Sequence, residues 1–346
     1  MGSGKLPQVG VIVTTHNCTA YVAEAIASVS GQTVRDLDVV IVDDASDDGT
    51  DDTIRCVLAS SGDSRFRFTA LDSNRGQTGA VRCGLAAISS PFVCFLDGDD
   101  LWHSNFVERH LAAHLNAEFP VGFTYCDSHF INGNSELITG TAWWFNRPLE
   151  HVPHRSLDPS VLPLIDPAKG LAHFPHNPTL TLHEDWSPTW SCNSMASMMF
   201  RRDLVELIFP STDQQLPLYL DYYLSNFSML MAGGIAIEEA LYAYRMHGSN
   251  SHSNGKVVGG TFETSSRDWK VITKRILSLI LAEMENRRMS LIAAVGEEHF
   301  NRGLMHLRTG IPEVGRLLAR KPEGQVRSWL DRLNRTWASP PNVRQS

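Results

Sequence analysis

The amino-acid sequence predicts an α/β fold built on a mostly parallel sheet, and three observations predict it. Short apolar runs with no polar face recur early in the chain: Val9-Gly10-Val11-Ile12-Val13, Val39-Val40-Ile41-Val42 and Phe92-Val93-Cys94-Phe95-Leu96. Stretches with apolar residues at helical spacing separate these runs. Each run also stops in polar or acidic residues, where open α/β sheets bind their ligands. Runs of this kind read as strands buried on both faces, which is the condition of a parallel sheet flanked by helices.

Taken in order, the first strand leads into Thr14-Thr15-His16-Asn17 as a turn, and Tyr21, Val22, Ala25, Ile26 and Val29 then recur on one helical face until Gly31. The second strand ends in Asp43-Asp44-Ala45-Ser46. Thr50 with Asp51 and Asp52 opens the next helix, its acids facing the positive end of the dipole. Arg65 to Leu71 alternates as a third strand, and Asp72-Ser73-Asn74-Arg75-Gly76-Gln77 leads into a small-residue helix from Thr78 to Ile88. The fourth strand stops in Asp97-Gly98-Asp99-Asp100. Two carboxylates about 4 Å apart repel by roughly 4 kcal/mol at an effective dielectric near 20, and a divalent cation reverses that sign. The pattern therefore predicts a Mg²⁺ or Mn²⁺ site that grips a diphosphate. The alternative is a solvated acidic turn before a helix that starts near Ser104.

Composition narrows the partners. The chain has 346 residues, 42% hydrophobic and 20% charged, with a net charge of -8 that argues against a nucleic-acid partner. Six cysteines without zinc-ligand spacing read as reduced and mostly buried, which fits a cytoplasmic protein. Met1-Gly2-Ser3-Gly4-Lys5 lacks the apolar core of a signal peptide, and no apolar run approaches the ~20 residues of a membrane span. The Gly-x-Gly-x-x-Gly of a dinucleotide fold is missing from the first turn, and so is the P-loop pattern. The missing glycine-rich first loop also weighs against a nucleotidyltransferase that makes sugar nucleotides.

Four segments together resemble glycosyltransferase family 2, the inverting enzymes of the GT-A fold. They are Val11 to Asn17, Ile41 to Thr50, Asn74-Arg75-Gly76 and Phe95 to Asp100, with looser similarity through Asn193, Met199 to Arg202, Leu220-Asp221-Tyr222 and Glu239 to Asn250. The resemblance implies a catalytic domain at 5–254, with a nucleotide-sugar half at 5–125 and an acceptor half at 126–254. It implies that Thr14 and His16 line the nucleobase pocket, that Asn17 also contacts the nucleotide sugar, that Asp44 accepts from the base, and that Asp43 fixes the loop. Arg75, Gln77 and Arg82 are candidate donor contacts. Asp97 and Gly98 would lie near the ribose, Asp99 would hold Mn²⁺ or Mg²⁺, Asp100 would support it, and His247 would reach the metal or diphosphate. Asp221 resembles the general base that deprotonates the acceptor, with Leu220 where the family often has Glu, and Glu184 and Asp185 as other candidates. A helix-capping role is the alternative for Asp221. The implied donor is a nucleoside diphosphate sugar, UDP-linked for preference, and the implied acceptor is a hydroxyl compound. A nucleotide-sugar-binding module without catalysis is the non-enzymatic alternative.

Residues 140–190 are dense in Pro, His and Trp and are expected to form an acceptor loop, with Trp190, Asp185 and Asn193 as acceptor contacts. After a glycine-rich linker at 255–260, residues 261–346 show helical patterns broken at Pro312 and Pro322. Their arginines, Arg316, Arg320, Arg327, Arg332 and Arg335, suit either a solvated face or contact with an anionic membrane surface. The apolar stripe suits packing on the catalytic domain or a homodimer.

Overall fold

The computed structural model describes residues 8–118, 121–139, 164–165, 172–173, 180–187, 194–213, 216, 218–250 and 269–310. Its first half alternates as the apolar runs dictate: β1 (Val9–Thr15), α1 (Val22–Ser30), β2 (Leu37–Asp43), α2 (Thr50–Ser61), β3 (Phe66–Ala70), α3 (Gly76–Ala87) and β4 (Phe92–Asp97). β1 pairs in parallel with β2 on one side and β4 on the other, and β2 with β3. Val11, Ile12, Val13, Val40, Ile41, Val93, Phe95 and Leu96 are all buried, which is why these strands tolerate no polar face. Each such side chain contributes about 1.5–3 kcal/mol on leaving water.

Two expectations change here. Thr14 and Thr15 belong to β1 rather than to a turn, because Thr15 Oγ1 donates to Asp43 Oδ1 on the paired strand at 2.8 Å and so is satisfied inside the sheet. α3 begins at Gly76, ahead of the Thr78 expected, with Gly76 at φ +73° making a bend that a side chain would oppose.

The second half adds β5 (Leu101–Trp102), α4 (Phe106–Asn116), β6 (Phe123–Asn132), β7 (Leu137–Thr139), β8 (Leu164–Ile165), β9 (Ala172–His173), β10 (Leu180–His183), β11 (Met198–Arg201), α5 (Arg202–Ile208), α6 (Leu220–Ala232) and β12 (Gly234–Met246). The main sheet has 10 strands, with the order β10-β12-β6-β11-β4-β1-β2-β3 along its length, while β5 pairs with β12 and β7 with β6. β12 runs parallel to β6, and β11 is wedged antiparallel between β4 and β6. One face carries α1, α2 and α4, whose apolar residues Ile26, Ile54 and Phe106 are buried there. The other face carries α3, α5 and α6.

Beyond β12 lie α7 (Trp269–Asn286), α8 (Arg288–Val295) and α9 (Glu297–Gly310). Their Ile276, Ile280, Met284, Phe300 and Leu304 join the same core as Phe227 and Leu230 of α6. That second cover explains why α6 is buried nearly all round instead of on one stripe, with only Asp221 and Ala232 partly open near its two ends. Among the described residues no helix is long and apolar enough to cross a membrane. Among the described residues five cysteines are free, and of these only Cys94 and Cys126 are buried; Cys56 is exposed and Cys18 and Cys83 are half-buried, so the expectation of mostly buried thiols is corrected for them. Trp190, Asn193, Cys192, most of the 140–190 loop, the 255–260 linker and the arginines from Arg316 onward lie outside the described residues.

Candidate active site

Parallel register brings the strand ends together. Thr14 on β1 lies opposite Asp97 on β4, and Thr15 opposite Asp43 on β2, so the chemistry-bearing residues share the carboxyl edge of the sheet. Just past β2, the buried Asp44 accepts the Arg75 amide proton on Oδ1 at 2.7 Å. His16 is exposed, with Nε2 3.1 Å from Asn74 Nδ2. Asp44, Arg75, Asn74 and His16 thus form one group at the rim, with a flat ring beside a carboxylate. Asn17, at φ +55°, has its amide on Ser46 Oγ at 2.8 Å and its side-chain oxygen on the Asp47 amide at 3.0 Å, so it ties two loops together. Asp43 fixes the second loop by accepting from Thr15 and from the Ser46 amide at 3.0 Å.

The acid loop after β4 is held tightly. Gly98 donates its amide to Thr14 O at 2.8 Å, and a Cβ there would stand 2.6 Å from Thr15 Cγ2, so only glycine lets the loop cross β1 so closely. Asp97 Oδ1 accepts long bonds from Thr14 Oγ1 at 3.3 Å and Gln77 Nε2 at 3.4 Å. Burial, then repulsion from Asp99 and Asp221, pushes its carboxyl up to about 7. Asp100 is buried and raised for the same reasons, burial first and then the charges of Asp99 and Asp97; its Oδ1 accepts the Arg245 amide at 2.8 Å. Asp99 Oδ2 lies 3.0 Å from His247 Nε2, and both side chains are partly open to solvent.

Asp221 enters the same group from α6. Its helix starts at Tyr219 in the left-handed conformation, φ +65°, with no side-chain cap bond, so Asp221 is a first-turn residue and not a cap. Its Oδ1 accepts the Tyr222 amide at 2.7 Å, and burial pushes the carboxyl up to about 6. The site therefore gathers carboxylates from two elements whose charges disfavour each other.

This donor set fits a divalent cation. Asp99 offers a hard oxygen and His247 a nitrogen, and the crowded acids want positive charge; among the described residues no group of three or more His, Cys, Asp or Glu is placed to hold a metal ion, so these two are the protein's donors.

The profile of glycosyl transferase family 2 matches residues 10–208, more than half of the chain. The chain belongs to that family. An uncharacterized glycosyltransferase of Nostoc sp. is 24% identical over 277 residues, covering 80% of this chain and 76% of the relative. The Escherichia coli enzyme WfgD, a UDP-Glc:alpha-D-GlcNAc-diphosphoundecaprenol beta-1,3-glucosyltransferase, is 30% identical over 127 residues, which span 37% of this chain and 48% of that enzyme. In shape, the chain resembles Staphylococcus aureus TarS 1-349 in complex with UDP, with a TM-score of 0.51 at 16% identity, covering 96% of this chain and 81% of that one. The mixed sheet with helices on both faces is accordingly a GT-A fold, and the chain is a glycosyltransferase.

In this family 2 glycosyltransferase the structure brings together Thr14, Gln77, Asp97, Gly98, Asp99, His247 and Asp221, and sets Asp44, Arg75 and His16 at the neighbouring rim. Other side chains face elsewhere. The guanidinium groups of Arg75 and Arg82 both close on Asp213, and Arg82 also reaches Pro210 O at 2.6 Å and stacks over Phe209, so these two bases clamp α3 to the segment before α6. Asp185 is exposed, 4.0 Å from Arg302 of α9, which turns it towards the C-terminal helices instead of the acid group. Sequence reasoning missed Arg245, Tyr21 and Asp213. Arg245 stood inside the Tyr-Arg-x-His segment and was a readable signal; Asp213 had none.

Proposed function

We propose that the enzyme transfers a sugar from a UDP-sugar to a hydroxyl acceptor with inversion at the anomeric carbon. The observation that carries this reading is that Asp221, from a separate helix, and Asp99 both bear on Asp97 at the carboxyl edge of the sheet. A binding module needs no raised carboxylate on a separate helix beside its phosphate grip; a transferase needs one as base. With its carboxyl near 6, Asp221 is ionised at neutral pH and yet more basic than an ordinary carboxylate, the balance a general base requires. It takes the acceptor proton as the acceptor oxygen bonds to the anomeric carbon and the bond from that carbon to the diphosphate breaks on the opposite face. Asp99 and His247 would hold Mn²⁺ or Mg²⁺, which supplies charge to the departing diphosphate. Asp44 accepts from the nucleobase while His16 stacks on it. The uridine preference is supported by the UDP-Glc in the name of WfgD and by the UDP held in TarS.

The test is a melting panel of nucleotides and UDP-sugars with Mn²⁺ or chelator, followed by acceptor-dependent UDP release from saccharide and lipid-linked acceptors. A ligand at ~100 times its dissociation constant adds about 2.7 kcal/mol, a readable shift. UDP should stabilise far more with Mn²⁺ than with chelator, and Asp221→Asn should bind donor but release no UDP. An equal shift in chelator would remove the cation from the reading, and turnover by Asp221→Asn would remove the base.

A further inference from the structure

Arg245 is the largest fully buried side chain of the described residues, placed in β12 where an apolar residue would cost less. Every part of it is engaged. Its amide donates to Asp100 Oδ1 at 2.8 Å and its Nε to the main-chain oxygen of Asp99 at 2.7 Å. Nη1 donates to Ser135 Oγ at 2.8 Å and Nη2 to Glu24 Oε2 at 2.9 Å, while Ser135 Oγ itself donates to Glu24 at 2.6 Å. Its guanidinium carbon sits 4.7 Å from the centre of the Tyr21 ring, and that ring lies 4.8 Å from the ring of His247.

Three separate stretches meet on this one side chain: Tyr21 and Glu24 at the first helix, the main chain of Asp99 in the acid loop, and Ser135 after β6; His247, just past the end of β12, joins them through the Tyr21 ring. A buried arginine that only filled the core would spend its donors on the scaffold. This one places its Nε on the main chain of Asp99, while its own amide holds Asp100, and it shares an aromatic support with the imidazole that faces Asp99. We propose that Arg245 is the positioning residue of the cation site, setting the main chain of Asp99 so that its carboxylate faces His247, with Tyr21 holding the imidazole from behind. The proposal rests on the reading that Asp99 and His247 hold the cation. A lysine keeps the charge but lacks the planar fork that reaches Asp99 and Glu24 together.

The experiment measures Mn²⁺ binding to the full chain by the electron paramagnetic resonance signal of free Mn²⁺, with UDP present, alongside UDP binding in chelator. Arg245→Met should weaken Mn²⁺ binding tenfold or more and Arg245→Lys less, while UDP binding in chelator holds within about twofold of wild type. Because Arg245→Met removes a buried charge from a network and can cost the fold, Tyr21→Leu and Glu24→Gln serve as the second pair: Glu24 is half exposed, so its variant keeps the core intact. Each should weaken Mn²⁺ threefold or more, with donor KM raised more than kcat falls. Wild-type Mn²⁺ affinity in Arg245→Lys, Tyr21→Leu and Glu24→Gln would overturn the proposal and leave the cation site standing. Absence of Mn²⁺ binding by the wild-type chain would overturn the cation reading itself, and this proposal with it.

Discussion

Replacing Asp221 by asparagine should make the protein more stable above about pH 6, even as it removes transfer. Burial raises this carboxyl from 3.8 to about 6, a shift of about two units, and each unit is worth about 1.36 kcal/mol. Below the unfolded value both states hold the proton and the ionisation has no effect. As pH rises, the unfolded chain ionises first, and the wild-type fold loses up to about 3 kcal/mol by the time Asp221 itself has ionised. Asparagine cannot ionise, and its Oδ1 keeps the bond from the Tyr222 amide, 2.7 Å long in the wild type. Melting curves in chelator between about pH 4 and about pH 8 should therefore start together and separate by several degrees, the variant higher. The acid limb of the wild-type transfer rate should fall in the same region, about pH 6. A difference that stays flat with pH, or a variant that melts lower at neutral pH, would refute the claim that burial of an ionised base is a cost carried for function.

His114 is buried and pushed down to about 4 by burial, so its imidazole is neutral in the fold while the unfolded form takes a proton near 6.5; stability should drain away as pH falls through that interval. In His114→Gln the urea midpoint should depend less on pH there, by up to about 3 kcal/mol at the acid end. Gly98→Ala drives a methyl against Thr15, so donor KM should rise several-fold in initial-rate assays and the melt should drop by a few degrees. Gly303→Ala puts a methyl 2.5 Å from the main-chain oxygen of Leu230, and lifting α9 off α6 should cost about 1–3 kcal/mol in urea unfolding, a measure of how far the C-terminal helices share the catalytic core.

β1, β2, β4 and the acid loop were readable from residues alone because parallel strands covered on both faces leave an unbroken apolar run, and β3, at the edge, was readable from its alternation. The later strands were not. β6 reads Phe-Thr-Tyr-Cys-Asp-Ser-His-Phe-Ile-Asn, and its Thr124, Ser128 and His129 are fully buried, with Thr124 satisfied by His110 of α4 at 2.6 Å. β12 contains Glu239 and Arg245, which pair with Arg109 and Glu24 across long separations, and a register shift after Ile237 breaks its alternation. Polarity met by distant partners looks like surface in a linear reading. The site divided in the same way. Asp97, Asp99 and Asp221 can be singled out by type and position, whereas nothing local reveals that Asp213 pairs with both Arg75 and Arg82.

The insertion of β11 has a consequence for how the chain reaches its native state. β4 ends at Asp97 and β6 begins at Phe123, yet the strand that joins them comes from Met198–Arg201, about a hundred residues after β4. Until that late segment arrives, a nascent chain shows the outer margin of β4 as an unmatched row of amides and carbonyls, a template for sticking to its neighbours. The leading half of the sheet is thus no detachable cassette: trimmed before Met198, it would lose its seam and with it the alignment of the acids at the top of β4.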